Sequence, residues 1–229
     1  MFLTLNKIVY EMRKYLIIPH LEPCISPWLL SEYRFVVELF KGSWKVVFTD
    51  VRNVKDFNIL KSLGCEVFND DFNVYIEREG IKNVLVLDPQ ARKVLVHDDV
   101  IKSDAVIIGG IMGDHPPRGR TKKLITDRLK VGKLVRNLGR KQLTIAGAAY
   151  VLKRVSEGAS ISDIELVDGL SIRLEIGGTE LIIELPYVFP AIKGKPVLPK
   201  DYIEVIKGAT QYFETYLVGR CLDEAKASR

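Results

Sequence analysis

Short apolar runs alternate with stretches of helical period along most of this chain, and no other feature limits the fold as much. Tyr15–Pro19, Trp44–Thr49, Val84–Leu87, Asp104–Gly109 and Leu134–Asn137 are brief, apolar and bounded by turn formers. Buried strands have that composition, because β-branched residues pack well on a pleated surface. Helix signals lie between them. Ser26 stands as an N-cap before Pro27, and Trp28, Leu29, Tyr33, Val36, Val37 and Phe40 repeat at helical spacing until Gly42,. Further helices are predicted over 53–63, 120–129 and 142–155, the last rich in small residues that allow close packing,. Residues 66–80 give a weaker pattern, with a short strand expected at Asn73–Glu77. Strand then helix, repeated, predicts an α/β fold: a mainly parallel sheet with helices on both faces.

Beyond Gly158 the pattern changes. Ser171–Leu185 holds two alternating runs around Gly177 and Gly178, which predicts an antiparallel β-hairpin added beside the main sheet,. Pro190–Pro199 reads as a linker, and Asp201 to about Leu222 as a final amphipathic helix with Ile203, Ile206, Tyr212, Phe213 and Tyr216 on its apolar side. That helix either closes the core or forms a dimer face. The expected organisation is a core over 1–158, a hairpin extension and linker over 159–198, and a C-terminal helix over 199–229, with Met12 a rival to Met1 as the start.

The 229 residues carry a net charge of +5, unevenly spread. From Arg118 to Lys141 ten Lys or Arg face Asp127 alone, a local charge of +9. Such a strip suits an RNA backbone or a ribonucleoprotein surface; the plainer reading is a set of solvated helix faces. No apolar run reaches the roughly 18 to 20 residues that span a membrane, and the start lacks a signal-peptide h-region, so no membrane association and a cytoplasmic location are expected. Cys24, Cys65 and Cys221 are odd in number and far apart, and are expected to be reduced,.

The chemistry-bearing residues crowd into one loop. After the strand at 104–109 the sequence GGIMGDHPPRGRT places Gly109, Gly110 and Gly113 where backbone can approach a ligand closely, and Pro116 and Pro117 stiffen the exit,. Asp114, His115, Arg118 and Arg120 sit among them. In open α/β sheets ligands bind beyond the carboxyl ends of strands, which is where this loop falls. Its spacing is not G-x-G-x-x-G, and no P-loop occurs anywhere,. His20 and Glu22 follow the first strand and belong to the same sheet edge. With Cys24 they alternate like metal ligands, but no fourth ligand accompanies them and no metal is expected.

Three strand-end loops, LDPQA (Leu87–Ala91), GGIMGDHPPRGRT (Gly109–Thr121) and NLGRKQLT (Asn137–Thr144), together with YLIIPHLEPCISPWLLSEY (Tyr15–Tyr33), resemble the SPOUT-class methyltransferases. The likeness is strongest to the subfamily labelled SAM-dependent RNA methyltransferase, whose yeast member methylates an arginine of a small-subunit ribosomal protein. It runs from Met12 to about Gly208. The resemblance implies a C-terminal deep trefoil knot, a feature otherwise close to absent from proteins. It also implies S-adenosylmethionine bound in a bend at the knot. Leu87 and Pro89 would border the adenosine, Gly109, Gly110, Met112 and Gly113 would offer backbone to ribose and methionine, and Leu138, Gly139, Gln142 and Thr144 would close over the adenine. A ribosomal protein or ribosomal subunit is the implied partner, and both a monomer and a homodimer fit the class.

If the acceptor is an arginine, the site must hold a protonated guanidinium fork and orient it as its proton leaves, which calls for carboxylates. Glu22, Glu32 and Asp114 are the candidates, with His20 or His115 as proton acceptor. His115 fits a loop-holding hydrogen bond equally well, and Glu32 reads first as a surface or capping charge on its helix. Arg118 and Arg120 suit the cofactor carboxylate or the substrate, since guanidinium does not deprotonate. Two other functions fit this sequence: a tRNA or rRNA methyltransferase, and a non-catalytic ribosome-assembly factor with the same fold.

Overall fold

Alternate residues of a strand point to opposite faces, and the apolar runs of this chain bury both. In the computed structural model, which describes residues 14–113, 116, 118–176 and 178–211, six strands form one sheet in the order β3-β2-β1-β5-β4-β6. They are β1 (Tyr15–Pro19), β2 (Lys45–Thr49), β3 (Glu66–Val67), β4 (Val84–Leu87), β5 (Ala105–Ile107) and β6 (Lys133–Arg136), and every pairing among them is parallel. Leu16, Ile18, Phe48, Leu85, Leu87 and Val106 face one side, where α1 (Pro27–Phe40) and α5 (Ile145–Ser156) cover them. Ile17, Val47, Val84, Val86 and Ile107 face the other, against α3 (Phe72–Arg78) and Ile125. The remaining helices α2 (Val54–Ser62) and α4 (His97–Lys102) flank the first side.

The order of strands decides where a site can form. From β1 the chain steps outward to β2 and β3, then crosses to the far side, where β5 inserts between β1 and β4. The loops leaving β1, β5, β4 and β6 therefore stand side by side at the carboxyl edge of the sheet, at the point where strand order reverses. Beyond α5, β7 (Leu166–Ile176) and β8 (Thr179–Ile192) form the hairpin, which packs Ile172, Leu185 and Phe189 on Tyr202 and Ile206 of α6 (Tyr202–Gln211). Among the described residues no helix is long and apolar enough to cross a membrane.

Most predicted elements are present within a residue or two, and the exceptions have physical reasons. Asn73–Glu77 is helix and not strand: Phe72, Tyr75 and Ile76 are spaced to share one buried helical face, and Asp71 caps the turn by accepting from Asn73 N at 2.8 Å,. The helix expected over 120–129 contains a π-helical turn, Lys122–Thr126. Pro190–Pro199 is no linker. β8 continues to Ile192 and turns back into β9 (Lys195–Pro196) through Lys193 and Gly194, whose φ values of 52° and 74° are those of a tight hairpin turn,. Cys24 is disulfide-bonded, against the expectation of reduced thiols. Cys65 is free, and burial pushes its thiol up to about 11. Met12, Asp114, His115, Tyr212, Phe213 and Tyr216 lie outside the described residues.

One ion pair anchors β6, the edge strand that launches the last site loop. Arg136 meets Asp99 in a two-pronged contact, Nε to Oδ2 and Nη2 to Oδ1, both 2.7 Å. Burial alone would raise the Asp99 carboxyl, but the guanidinium and the Val96 N–H outweigh it and hold it below the usual range. Removing one partner of a charged hydrogen bond costs about 2 kcal/mol, so Asp99→Ala should lower Tm by roughly 4 to 8 °C at neutral pH. A carboxyl with a depressed folded-state pKa stabilises fully above its unfolded pKa and loses that contribution as pH falls through the folded value. The gap in Tm between the parent and Asp99→Ala should therefore close on acidification; a gap independent of pH would refute the assignment.

Candidate active site

The loops that leave β4, β5 and β6 enclose a cavity at the sheet edge. Its walls include Leu87, Asp88, Pro89, Gly109, Met112, Gly113, Leu138, Gly139, Gln142 and Thr144. Of the residues predicted to touch a cofactor, all but Gly110 line it. Gly110 sits one step behind, bonded from its N–H to the Pro19 carbonyl at 3.0 Å as the β1–β5 pairing continues past the strand ends. A Cβ there would lie 2.5 Å from the Pro19 oxygen and 2.5 Å from the Tyr33 hydroxyl. Glycine at 110 thus lets two strand ends meet, whereas glycine at 113 keeps space within the cavity: a Cβ on Gly113 would collide with the Gln142 amide and come within 2.6 Å of the Tyr187 ring.

Several wall residues were not evident in the sequence. Tyr187 of β8 reaches the loop after β5, its hydroxyl donating to the Gly113 carbonyl at 2.9 Å. Val188 N donates to the Gln142 carbonyl at 2.9 Å, so the hairpin is fastened to two site loops and is part of the cavity. Trp28 stands edge-on to Tyr187, ring centroids 6.4 Å apart. A strand pattern shows which residues alternate but not which neighbour a distant hairpin meets, and only the Gly-rich loops carried a signal.

Glu32 lies at the base of this wall, 1% exposed. Its Oε1 accepts from Tyr202 Oη at 3.0 Å and Trp28 Nε1 at 3.2 Å, and its Oε2 from Ala146 N at 2.8 Å. Burial raises its carboxyl above the usual range, while those donors and the Thr144 hydroxyl pull the other way. Thr144 also caps α5, accepting from Gly147 N at 3.1 Å. Glu32 is therefore no surface charge, and it binds the first turn of α5 and not the end of its own helix α1.

His20 and Glu22 have similar roles. His20 is 5% exposed and enclosed, with Nδ1 3.0 Å from the Tyr33 hydroxyl and Nε2 3.3 Å from Asp56 Oδ2. It is not among the residues that line the cavity, and these partners hold it at the end of β1. Glu22 Oε1 accepts from Met112 N at 2.8 Å and from Arg120 Nη1 at 3.0 Å, and Arg120 also donates to the Met112 carbonyl. Acid and base together clamp the backbone of Met112 from both sides. Arg118 and Arg120 line an adjoining cavity that shares Pro89, Met112, Gly113 and Gln142 with the first. Asp114, the third carboxylate expected to serve the acceptor, lies with His115 outside the described residues.

Three loops, two of them glycine-bearing, thus wall a cavity at a parallel sheet edge, and residues 15–212 of the chain match the family model described as Protein arginine N-methyltransferase SFM1-like. The chain belongs to that family. Protein arginine N-methyltransferase SFM1 of Saccharomyces cerevisiae is 29% identical over 204 residues, covering 83% of this chain and 93% of the yeast protein. The crystal structure of that yeast enzyme complexed with SAM resembles this fold with a TM-score of 0.74 at 28% identity, over 87% of this chain and 92% of that one. Its complex with SAH gives 0.73 at 29%, over 84% and 94%. A dual-specific Trm10 of Thermococcus kodakaraensis shares the fold, with a TM-score of 0.57 at 21% identity over 66% of this chain and 96% of its own. The likeness to both places the sheet in the SPOUT class.

The two glycines make distinct predictions for this family member. Gly110→Ala forces backbone apart and should cost about 1 to 3 kcal/mol, read as a lower Tm. Gly113→Ala pushes only side chains and should leave Tm nearly unchanged while weakening binding of S-adenosylhomocysteine by calorimetry. The reverse pattern would show that the close contacts have been assigned the wrong way round.

Proposed function

We propose that this chain transfers a methyl group from S-adenosylmethionine to a side-chain nitrogen of an arginine in a protein, and that the acceptor is a ribosomal protein. The observation that carries this reading is the cavity walled by the three loops, in a chain whose yeast relative has been crystallised with SAM. The donor set fits such a cofactor. Leu87, Ile108, Leu138, Ile145 and Ala148 offer apolar walls for a flat adenine, and the space kept open at Gly113 is bordered by the polar end of Gln142. The cofactor supplies a methyl group on a sulfonium, already a good leaving group.

The chain's own residues have to position, exclude water and take a proton. Glu22 and Arg120 fix the Met112 backbone, Tyr187 fixes the Gly113 carbonyl, and Glu32 with Thr144 fixes the opposite wall. Rigid walls of this kind can supply roughly 7 to 11 kcal/mol through orientation alone. The acceptor guanidinium needs a carboxylate whose lone pairs are not already committed. Asp88, Glu32 and Glu22 each hold protein donors; we assign the role to Asp114, next in sequence to Gly113 of the cavity wall, with His115 beside it as the proton acceptor. The threaded knot implied by the resemblance belongs to the same proposal. Asn137 is tied to Lys93 and Leu95, and Gln142 lies against Gly113, which sets the segment after β6 between the loops after β4 and β5.

Incubation with methyl-labelled S-adenosylmethionine and ribosomal subunits, followed by separation of protein from RNA, tests the reading. Label should appear in protein as an acid-stable methylated arginine. Label in RNA would overturn it, and an unlabelled but ribosome-bound protein would favour an assembly factor. Asp114→Asn should lower kcat by about 100-fold or more, the scale of a lost acid-base group, with cofactor affinity retained. Equal losses in both would assign Asp114 to holding the ligand.

A further inference from the structure

The fold divides the basic strip of residues 118–141 into two groups. Arg120, Arg128, Arg136 and Lys141 pair with Glu22, Asp71, Asp99 and Asp168, all from other parts of the chain. Lys133 donates to the Thr126 carbonyl. Arg118, Lys122, Lys123, Lys130 and Arg140 are exposed, and among the described residues they form no salt bridge. Solvated helix faces would scatter such residues, but two of the five converge. Arg118 and Arg140 come from different loops to line one cavity of about 210 Å³, together with Arg120, Lys141, Gln90 and Thr121.

The charge of that cavity is one-sided. Asp88 is the carboxylate in its lining, and it is 1% exposed, with Oδ2 accepting from the Thr126 hydroxyl at 2.7 Å and Oδ1 from Gln90 N at 2.9 Å. Its charge is directed into the protein. A concave surface to which Arg118 and Arg140 bring two exposed guanidinium groups, neither in a salt bridge among the described residues, focuses a positive potential,, which repels the acceptor arginine. It fits an anion with several acceptor oxygens, and a guanidinium fork matches phosphate two-pronged. Exposed Lys122 and Lys123 directly follow Thr121 of the lining in sequence. A single carboxylate or free ion needs no charge beyond the cavity, whereas a nucleic-acid backbone uses neighbouring cations as well.

We propose that this cavity binds a phosphate group of an RNA strand, so that the enzyme meets its acceptor arginine in a protein–RNA particle. The particle clause rests on the proposed function. The binding clause does not, and it can be measured without turnover, so either can fail alone.

The test measures binding of the full chain to a fluorescent single-stranded oligouridylate of about 20 nucleotides between about 50 and 200 mM salt. Arg118→Gln with Arg140→Gln is compared with Lys55→Gln and Lys61→Gln on α2, which removes the same charge at a distance from the cavity. The cavity variant should bind about tenfold more weakly and lower the slope of log affinity against log salt by about 1.4, the value for two lost single-strand phosphate contacts. The α2 variant should match the parent in slope. Equal slopes in both variants, or no RNA binding at the lowest salt, would overturn the proposal. S-adenosylhomocysteine affinity is measured alongside; a fall there with RNA binding intact would assign the arginines to the cofactor carboxylate. Displacement of RNA by inorganic phosphate below millimolar concentration, at matched ionic strength, would assign the cavity to a free anion.

Discussion

A carboxylate sealed from water must find donors for its oxygens or destabilise the fold that buries it, and this structure is arranged around one that does. Glu32 of α1 receives the backbone of Ala146 and the hydroxyl of Thr144 at the start of α5, the indole of Trp28, and the phenol of Tyr202 in α6. Those donors belong to the sheet core, to the last site loop and to the C-terminal helix that seats the hairpin. No one of these parts satisfies the charge alone. Their relative position, and with it the cavity wall, is therefore set by electrostatics as much as by apolar packing.

The same logic runs through the rest of the site. Asp88 turns inward onto Thr126, Glu22 closes on Arg120 and Met112, and His20 is enclosed between Tyr33 and Asp56. Glu22, Glu32 and His20, singled out in the sequence for chemistry, each brace neighbouring segments, and Glu22 with Arg120 fixes the backbone of the loop after β5. Outside this braced interior, exposed Arg118 and Arg140, which form no salt bridge among the described residues, meet at the neighbouring cavity.

The parallel sheet, its helices and the three loops were legible because each depends on local pattern: β-branched runs, an N-cap at Ser26, glycines at a strand end. The loops also carried a family resemblance. Roles such as those of Glu32 and Tyr187 were not legible, since a residue buried by partners more than a hundred positions away looks the same in sequence as one left in water. Asn73–Glu77 was misread for a different reason: five residues of mixed character fit either period, and the cap at Asp71 that decides between them precedes the segment. Pro190–Pro199 has the composition of a connector, and its strand character comes from pairing with partners already in place.

The reach of Tyr187 across to Gly113 carries one further consequence. The wall of the pocket is drawn from both ends of the described chain, Trp28 near its beginning and Tyr187 late in its length. Contacts that join such distant segments form late and slowly, because the intervening loop must first be closed. During synthesis, the sheet can gather its strands while the hairpin is still unmade, but the pocket has no closed side until that hairpin docks. A nascent copy of this protein is therefore a scaffold first and an enzyme only once its late strands have emerged.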